Sequence, residues 1–228
     1  MTENYPFRSF QSIVIFDVET TGLDSRFDTI IEFGGIKVTS ENDNPEVSDE
    51  LDLLIQLPNG KKLGDQITKL TGITPSMLYQ NGVAPNLAAE TISGMLFGRD
   101  TLLVAYNAQF DLCFLYRFLK QYGREECLQG VKMLDALTVY KDRRPYPHKL
   151  CNAIESYRLN GQNSHRALDD AKATWELFCA MQKECADLER YINLFGYHPR
   201  YGISGPRIAS VTYRAQEYDP GKKLYDFR

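Results

Sequence analysis

The chain has 228 residues, which is enough for one sizeable α/β domain or for one domain with an appendage. Hydrophobic residues make up 43% and charged residues 25%, as in an ordinary globular protein, and no apolar run approaches the ~18 residues of a membrane span. The start, MTENYPFRSF, lacks the basic and apolar regions of a signal peptide. Five cysteines without metal-type pairing predict small core residues in a reducing cytoplasm, not a zinc site or disulfides.

The net charge of −4 is unevenly distributed along the chain. The segment 190–228 holds seven Lys/Arg and three Asp/Glu, so it carries +4 and the rest carries −8. Part of that negative charge lies in three motifs that are candidates for a metal site. Bound cations would cancel their field, so the acidic total does not exclude nucleic acid as a partner.

The predicted elements begin with strands and continue with alternating strands and helices. Strands are expected at SIVIFD (12–17), TIIEFGGIKVT (29–39), VSDELDLLIQL (47–57), TLLVAY (101–106) and VKML (131–134), with a turn at ENDNPE. Helices are expected at 65–72, 74–80 (N-capped by Thr74 before Pro75), 85–98, 108–123, 135–141, 149–157 and 165–191. This order predicts a mixed β-sheet with α-helices packed on it.

The first motif, IVIFDVETTGL, carries two carboxylates at a strand end. Asp17 and Glu19 are two residues apart, and alternate strand residues share a face, so both can point to one site. Thr20, Thr21 and Gly22 then turn the chain and would offer backbone N–H groups near a phosphate or sugar. An Asp-x-Glu pair alone is more often a solvated strand end, so the motif needs its partners.

The second and third motifs each place an acid at the start of a helix. In YNAQFD, Asp111 follows Asn107 and Phe110, an amide and an aromatic that could meet sugar and base, although such an Asp alone usually stabilises the helix dipole. HRALDDA begins the helical pattern 165–191. Within it, His165 should still lie in the loop before the first regular turn and Asp170 on the first or second turn, so both can face one cleft. The neighbouring Asp169 should point away from that face.

Four carboxylates and one histidine can hold two hard divalent cations and deprotonate a water beside them. That chemistry cuts phosphodiester bonds. Each motif is weak alone, whereas their order along one chain is specific.

DVETTGL, YNAQFD and HRALDDA resemble the three motifs of the histidine subgroup of the DEDD 3′–5′ exonucleases. This family includes the proofreading subunit of bacterial DNA polymerase III, ribonuclease T and oligoribonuclease. The resemblance covers roughly residues 10–185, with similar spacings of about 90 and then about 55 residues. Tyr106 stands where many relatives have His, which leaves the metal site untouched.

The resemblance implies a ribonuclease H-like fold. We expect an exonuclease domain over 1–189 and, outside the reach of the resemblance, a basic aromatic C-terminal extension over 190–228 packed on it. The resemblance also implies two Mg²⁺ or Mn²⁺ ions held by Asp17, Glu19, Asp111 and Asp170, with His165 as the general base. By family likeness, Leu23 and Phe110 contact the terminal base, and Thr21 and Asn107 the terminal sugar or phosphate.

The expected partner is the 3′ end of single-stranded nucleic acid, DNA before RNA, with a DNA polymerase subunit as a further candidate partner and no membrane. The products would be nucleoside 5′-monophosphates. The first alternative is an exoribonuclease acting on short or structured RNA, because single-strand binding discriminates poorly between sugars. The others are an inactive nucleic-acid-binding protein and a phosphodiesterase on small nucleotides.

The C-terminal extension admits two interpretations. Its eight aromatic and seven basic residues fit a surface that stacks bases and binds phosphates, with Arg207 and Arg214 toward substrate. Alternatively its tyrosines pack it against the catalytic domain, with RIASVTYRAQ adding an edge strand, and this second interpretation is slightly favoured. Both hold if one face packs while the other contacts substrate.

Overall fold

The computed structural model describes residues 9–41, 44–98, 100–161 and 164–226. Its centre is a five-stranded mixed sheet in the order β3-β2-β1-β4-β5. The strands are β1 Ser12–Thr20, β2 Ile30–Glu41, β3 Asn44–Leu54, β4 Thr101–Ala105 and β5 Lys132–Asp135. β1, β2 and β3 form an antiparallel meander, while β4 and β5 run parallel to β1.

Seven α-helices in the described ranges connect and cover these strands, as the sequence pattern predicts. They are α1 Asp65–Thr71, α2 Pro75–Asn81, α3 Pro85–Leu96, α4 Ala108–Gln121, α5 Ala136–Arg143, α6 Leu150–Tyr157 and α7 Ala167–Glu184. The predicted cap of α2 is confirmed, because the Thr74 hydroxyl accepts a hydrogen bond from the Met77 N–H at 3.2 Å. Among all described residues, no helix combines the length and apolar character needed to cross a bilayer.

The central strand β1 is buried on both faces, which explains its continuous apolar run. Ile13 and Ile15 face one core together with residues of α5, α6 and α7. Val14 and Phe16 face a second core together with residues of α3 and α4. Because alternate strand residues point to opposite faces, one short run builds both layers and fixes α4 and α7 on opposite sides of β1.

Three local predictions need correction. The strands continue through Glu41 and Asn44, so ENDNPE is not a turn throughout, and its residues 42–43 lie outside the described part of the chain. The last helix ends at Glu184 and not at 191, because Cys185 is extended and Leu188–Tyr191 forms a separate 3₁₀ turn. Cys113 and Cys127 are buried as expected, but Cys151 and Cys185 are exposed.

The C-terminal segment packs against both cores through five buried side chains, Tyr191, Leu194, Phe195, Val211 and Leu224. Part of RIASVTYRAQ does form a strand, β7 (Thr212–Ala215), but β7 does not join the edge of the main sheet. It pairs in parallel with β6 (Leu194–Tyr197) in a separate two-stranded sheet. Phe227 and Arg228 lie outside the described residues, and the division at residue 189 stays a prediction.

Candidate active site

The first motif lies at the end of β1, where the strand leaves the middle of the sheet. Asp17 pairs with Gly34 of β2 and Glu19 with Glu32, so the two carboxylates follow the alternation of the strand. Immediately after Glu19 the register with β2 shifts. Such an irregularity at a strand end re-aims side chains, and here it separates the acids from the turn that follows them.

The start of α7 rests directly on the backbone of β2 at Gly34. A Cβ atom at this position would lie 2.0 Å from the Leu168 nitrogen and 2.2 Å from the Ala167 carbonyl carbon. Only glycine permits this approach, and it brings the third motif beside β1. Ligand atoms of Glu19, His165 and Asp170 consequently all lie within 4.8 Å of one another.

An ion pair between the buried Glu32 and the half-buried Arg166 fixes the loop that carries His165. Glu32 is fully buried and accepts hydrogen bonds from Arg166 Nε at 2.8 Å, Arg166 Nη2 at 2.6 Å and the Ala167 N–H at 2.9 Å. His165 has a left-handed backbone with φ of 56°, a conformation that histidine tolerates better than most residues. Glu32 and Arg166 therefore hold the turn that places His165 against Glu19 and Asp170.

Sequence reasoning missed Gly34, Glu32 and Arg166. The pair Gly34-Gly35 inside a strand was the available signal, because glycine within a strand marks a close backbone approach. No sequence signal identifies Glu32 as the partner of Arg166, since the contact joins residues that are distant along the chain.

Asp111 reaches the same site from α4 on the other side of β1. It is only 1% exposed, and its Oδ1 accepts a hydrogen bond from the Val18 N–H at 3.2 Å. Its Oδ2 is buried and has no hydrogen-bond partner among the described residues. A buried carboxylate oxygen without a donor is costly, so its position calls for a ligand that the chain itself does not supply.

Burial and mutual repulsion raise the pKa values of these acids. Burial first, then the charges of Asp111, Asp170 and Glu19, raise the pKa of Asp17 well above its usual range. Burial, followed by the charges of Asp170 and Glu32, raises the pKa of Glu19 to about 8. The pKa of Asp111 also rises to about 8, mainly through burial. The cluster is thus held together without enough positive charge.

The donor set fits hard divalent cations. Carboxylate oxygens select Mg²⁺ or Mn²⁺, whereas zinc sites in proteins are usually richer in Cys and His. Such a cation would satisfy Asp111 Oδ2, for which the described residues supply no donor, and the neighbouring acids Asp17, Glu19 and Asp170. The residues present therefore fit the expected metals.

The side chains of Asp169 and Asp170 lie on different sides of α7, as the helix geometry predicts. Asp169 is exposed and accepts a hydrogen bond from the Ser164 hydroxyl at 2.6 Å. Asp170 is buried, and its Oδ1 accepts from the Ser164 N–H at 3.2 Å. Only Asp170 joins the cluster with Glu19 and His165.

Of the two predicted substrate contacts in the turn after β1, Leu23 is exposed to solvent and Thr21 is hydrogen-bonded within the turn. Leu23 is 87% exposed, so its side chain is not part of a core and can contact a ligand. The Thr21 hydroxyl instead donates to Asp28 Oδ1 at 3.0 Å, and its N–H donates to the Thr29 carbonyl at 2.9 Å. The N–H of Thr21 is therefore not available to a phosphate, and its contact with the terminal sugar stays a prediction.

Asn107 and Phe110 flank the second motif with accessible surface. Asn107 is exposed in a left-handed conformation with φ of 68°, and its N–H donates to Asp135 Oδ1 at 3.0 Å. Its side-chain amide makes no hydrogen bond within the described residues. Phe110 is half-buried, with its ring centroid 4.8 Å from that of Phe114. Both side chains remain available for the predicted contacts.

The two arginines predicted to face substrate lie in different surroundings. Arg207 is exposed, with its guanidinium 5.4 Å from the centre of the Tyr213 ring. Arg214 is half-buried and donates to the Leu224 carbonyl at 3.3 Å. The substrate role of both arginines stays a prediction. The contact of Arg214 with Leu224 lies within the C-terminal extension.

A mixed sheet with this strand order, in which acids from β1, α4 and α7 meet at the end of the central strand β1, defines a ribonuclease H-like nuclease. The profile of the exonuclease family (RNase_T) matches residues 14–178, so the chain belongs to this family. Its motifs place it among the DEDD-type 3′–5′ exonucleases, which are phosphodiester hydrolases. The resemblance inferred from the three motifs is confirmed.

Curated relatives include much longer polymerases. The chain is 33% identical over 181 residues to the PolC-type DNA polymerase III of Caldanaerobacter subterraneus subsp. tengcongensis, covering 77% of this chain and 12% of that protein. The Bacillus subtilis PolC-type DNA polymerase III is also 33% identical over 181 residues, covering 78% and 12%. The chain thus spans only 12% of the length of these two relatives.

Solved structures show the same fold. Escherichia coli Exonuclease I in complex with a dT13 oligonucleotide superposes with a TM-score of 0.70 at 18% identity, covering 79% of this chain and 43% of that one. Exonuclease I from Methylocaldum szegediense gives a TM-score of 0.67 at 22% identity, covering 78% and 41%. At such identities the likeness concerns the fold alone.

Proposed function

We propose that the chain hydrolyses single-stranded DNA from its 3′ end, using two divalent cations and releasing nucleoside 5′-monophosphates. The observation that carries this proposal is the convergence of Asp17, Glu19, Asp111 and Asp170, with one buried oxygen of Asp111 that has no hydrogen-bond partner in the described part of the chain. Four neighbouring acids, of which Asp111 and Asp170 are buried and Asp17 and Glu19 half-buried, are unfavourable unless cations join them.

The carboxylates of these four residues would hold the two Mg²⁺ or Mn²⁺ ions. When bound, such ions supply an activated water and stabilise the charge on the leaving oxygen. The contribution of the chain is to fix the acids, with Val18 N–H holding Asp111 and with Gly34 admitting α7 so that Asp170 reaches β1. The left-handed turn at His165 presents the imidazole to the same place.

His165 is the proposed general base. It takes a proton from the attacking water as the new oxygen–phosphorus bond forms at the terminal phosphate. The bond from phosphorus to the 3′ oxygen of the preceding nucleotide breaks, and that oxygen takes up a proton. The exposed Leu23 and the half-buried Phe110 would hold the terminal base, while Asn107 would contact the sugar or phosphate.

The relatives favour DNA as the substrate. Both PolC-type relatives are DNA polymerases, and the E. coli Exonuclease I structure holds a DNA oligonucleotide. The PolC-type relatives also support the proposal that the chain works with a DNA polymerase as a proofreading or repair nuclease. We further propose that it acts in the cytoplasm. RNA trimming remains the competing function, and the 2′-OH is the group that separates the two.

The test uses 5′-labelled single-stranded DNA and RNA of the same sequence, with Mg²⁺, Mn²⁺ or EDTA. We expect a descending ladder from the 3′ end on DNA, dependent on metal, and much slower shortening of RNA. The test variant is Asp17→Asn, which changes one acid of the cluster. Its matched control is Asp169→Asn, which makes the same substitution at the exposed residue next to Asp170.

Loss of the ladder in Asp17→Asn together with wild-type activity in Asp169→Asn would support the assignment. Faster shortening of RNA than of DNA would transfer the proposal to an exoribonuclease. Equal activity of the two variants, or cleavage in EDTA, would overturn the metal-dependent mechanism.

A further inference from the structure

A groove of about 1250 Å³ lies beside the candidate active site. One wall is the loop 25–30 that continues from the turn of Leu23, and the second is the exposed side of α4 beyond Asp111. The third wall is the segment 206–210 of the C-terminal extension. Two of these walls therefore continue elements that carry site residues, and the third lies beyond residue 178, where the matched exonuclease profile ends.

The charge of this groove opposes that of the whole chain. Five basic side chains line it, Arg26, Lys61, Arg117, Lys120 and Arg207, against the two acids Asp28 and Glu125. The chain as a whole carries −4. Arg26 is paired with Asp24 at 2.6 Å, whereas no ion pair within the described residues involves the other four cations. Unpaired cations gathered on one surface favour a polyanionic ligand.

Aromatic side chains accompany these cations. Phe27 is 67% exposed and Tyr116 is 45% exposed, and both line the groove. Phe114 also lines it and packs on Phe110, the residue expected to contact the terminal base. Lys120 lies about 14 Å along the helix axis from Asp111, given a rise of ~1.5 Å per residue. Rings and positive charge thus extend outward from the site along α4, as in surfaces that bind single strands.

Gln109 fastens the third wall to the second motif. Its Nε2 donates to the Ser204 carbonyl at 3.0 Å and to the Pro206 carbonyl at 2.7 Å. Its Oε1 accepts from the Tyr213 hydroxyl at 2.6 Å, and that hydroxyl accepts from the Ile208 N–H at 2.9 Å. Gln109 is buried, two residues before Asp111. The same turn of α4 therefore positions Asp111, a proposed metal ligand, and holds the wall that bears Arg207.

We propose that this groove binds the single strand on the 5′ side of the scissile phosphate, with Arg117, Lys120, Lys61 and Arg207 contacting phosphates and Phe27 and Tyr116 stacking bases. This inference rests on the proposed function for its direction, because a 3′ end held at the acids leaves only the upstream strand to occupy an adjoining groove. In this proposal the C-terminal extension strengthens the binding of strands that are long enough to reach the groove.

The test compares Arg117→Ala/Lys120→Ala with Lys69→Ala/Lys183→Ala. Both double variants remove two exposed charges from helices, but only the first pair lies in the groove. Binding of a fluorescein-labelled oligothymidylate of about 12 nucleotides, within the usual range of ~4–16 per site, is measured by anisotropy in EDTA, where cleavage does not interfere. We expect about tenfold weaker binding and a salt slope lower by up to ~1.4, or ~0.7 per lost phosphate contact, in the groove variant alone.

Hydrolysis gives the second readout. With Mg²⁺, the groove variant should show a higher KM on the longer strand and an unchanged kcat/KM on a dinucleotide. Equal binding by the two double variants would overturn the proposal. So would unchanged DNA binding in a groove variant that has lost affinity for polyglutamate, since the groove would then serve an acidic protein. If the wild type cleaves nothing, the proposed function fails, whereas anisotropy still decides the groove.

Discussion

Two buried aspartates in this molecule, Asp142 and Asp111, differ in how many hydrogen-bond donors their carboxylate oxygens have. Near the C-terminal extension, Asp142 accepts hydrogen bonds from the Tyr191 hydroxyl at 3.0 Å, from Gln216 Nε2 at 2.7 Å and from the Leu224 N–H. At the edge of β1, Asp111 has one donor, and its other oxygen has none among the described residues. Both acids are almost completely buried.

We interpret the difference as that between a structural role for Asp142 and the proposed metal-binding role of Asp111. The Asp142 carboxylate joins α5 to the C-terminal segment, and each of its oxygens meets a donor. Burial first, and the charges of neighbouring acids second, raise the pKa values of Asp17 and Asp111, which costs stability in the absence of a cation. Natural chains break the rule of satisfied buried groups mainly where function requires it.

The largest expected effects come from the same substitution made in the acid cluster and at Asp142. Asp17→Asn should lower cleavage of DNA by about 10³-fold or more, because it removes a ligand whose metal provides several kcal/mol of transition-state stabilisation. Asp142→Asn should leave cleavage intact but lower the free energy of unfolding by about 1–3 kcal/mol, because an amide nitrogen would face donors. Urea unfolding and single-turnover cleavage measure both, and similar stability losses in the two variants would erase the comparison.

His165→Asn should reduce turnover by about 10²–10⁴-fold, the usual scale for a lost general base. Asparagine also tolerates the left-handed backbone of this position, so the fold should be preserved. Calorimetry should show that Mn²⁺ still binds, because His165 is assigned to proton transfer. Wild-type turnover in this variant would make His165 an ordinary loop residue.

Leu23→Ala should give the smallest effect. Its side chain is 87% exposed, so the melting temperature should stay within error. Loss of its contact with the terminal base should raise KM by roughly fivefold, or about 1 kcal/mol. Steady-state kinetics on DNA decides this, and a lower melting temperature with unchanged KM would contradict the assignment.

The sequence predicted the strands and helices well, because their apolar periods are local. It also predicted which acids would meet, since a strand end and two helix starts tend to share one edge of a sheet. It did not predict the role of Gly34, because the importance of this glycine depends on α7, which lies far along the chain. The pairing of β6 with β7 and the contacts of Gln109 were missed for the same reason, as each joins distant segments.

Thermal unfolding between pH 5 and pH 9, in EDTA and in Mn²⁺, tests the metal role of the acid cluster most directly. Glu19 and Asp111 have folded pKa values of about 8, above their ordinary values of 4.5 and 3.8. Their protonated forms therefore stabilise the fold fully below about pH 4, and this stabilisation is lost as the pH rises through about 8. The metal-free protein should lose melting temperature across this window, and Mn²⁺ should restore it at the alkaline end. A melting temperature that neither falls with pH in EDTA nor responds to Mn²⁺ would contradict the account.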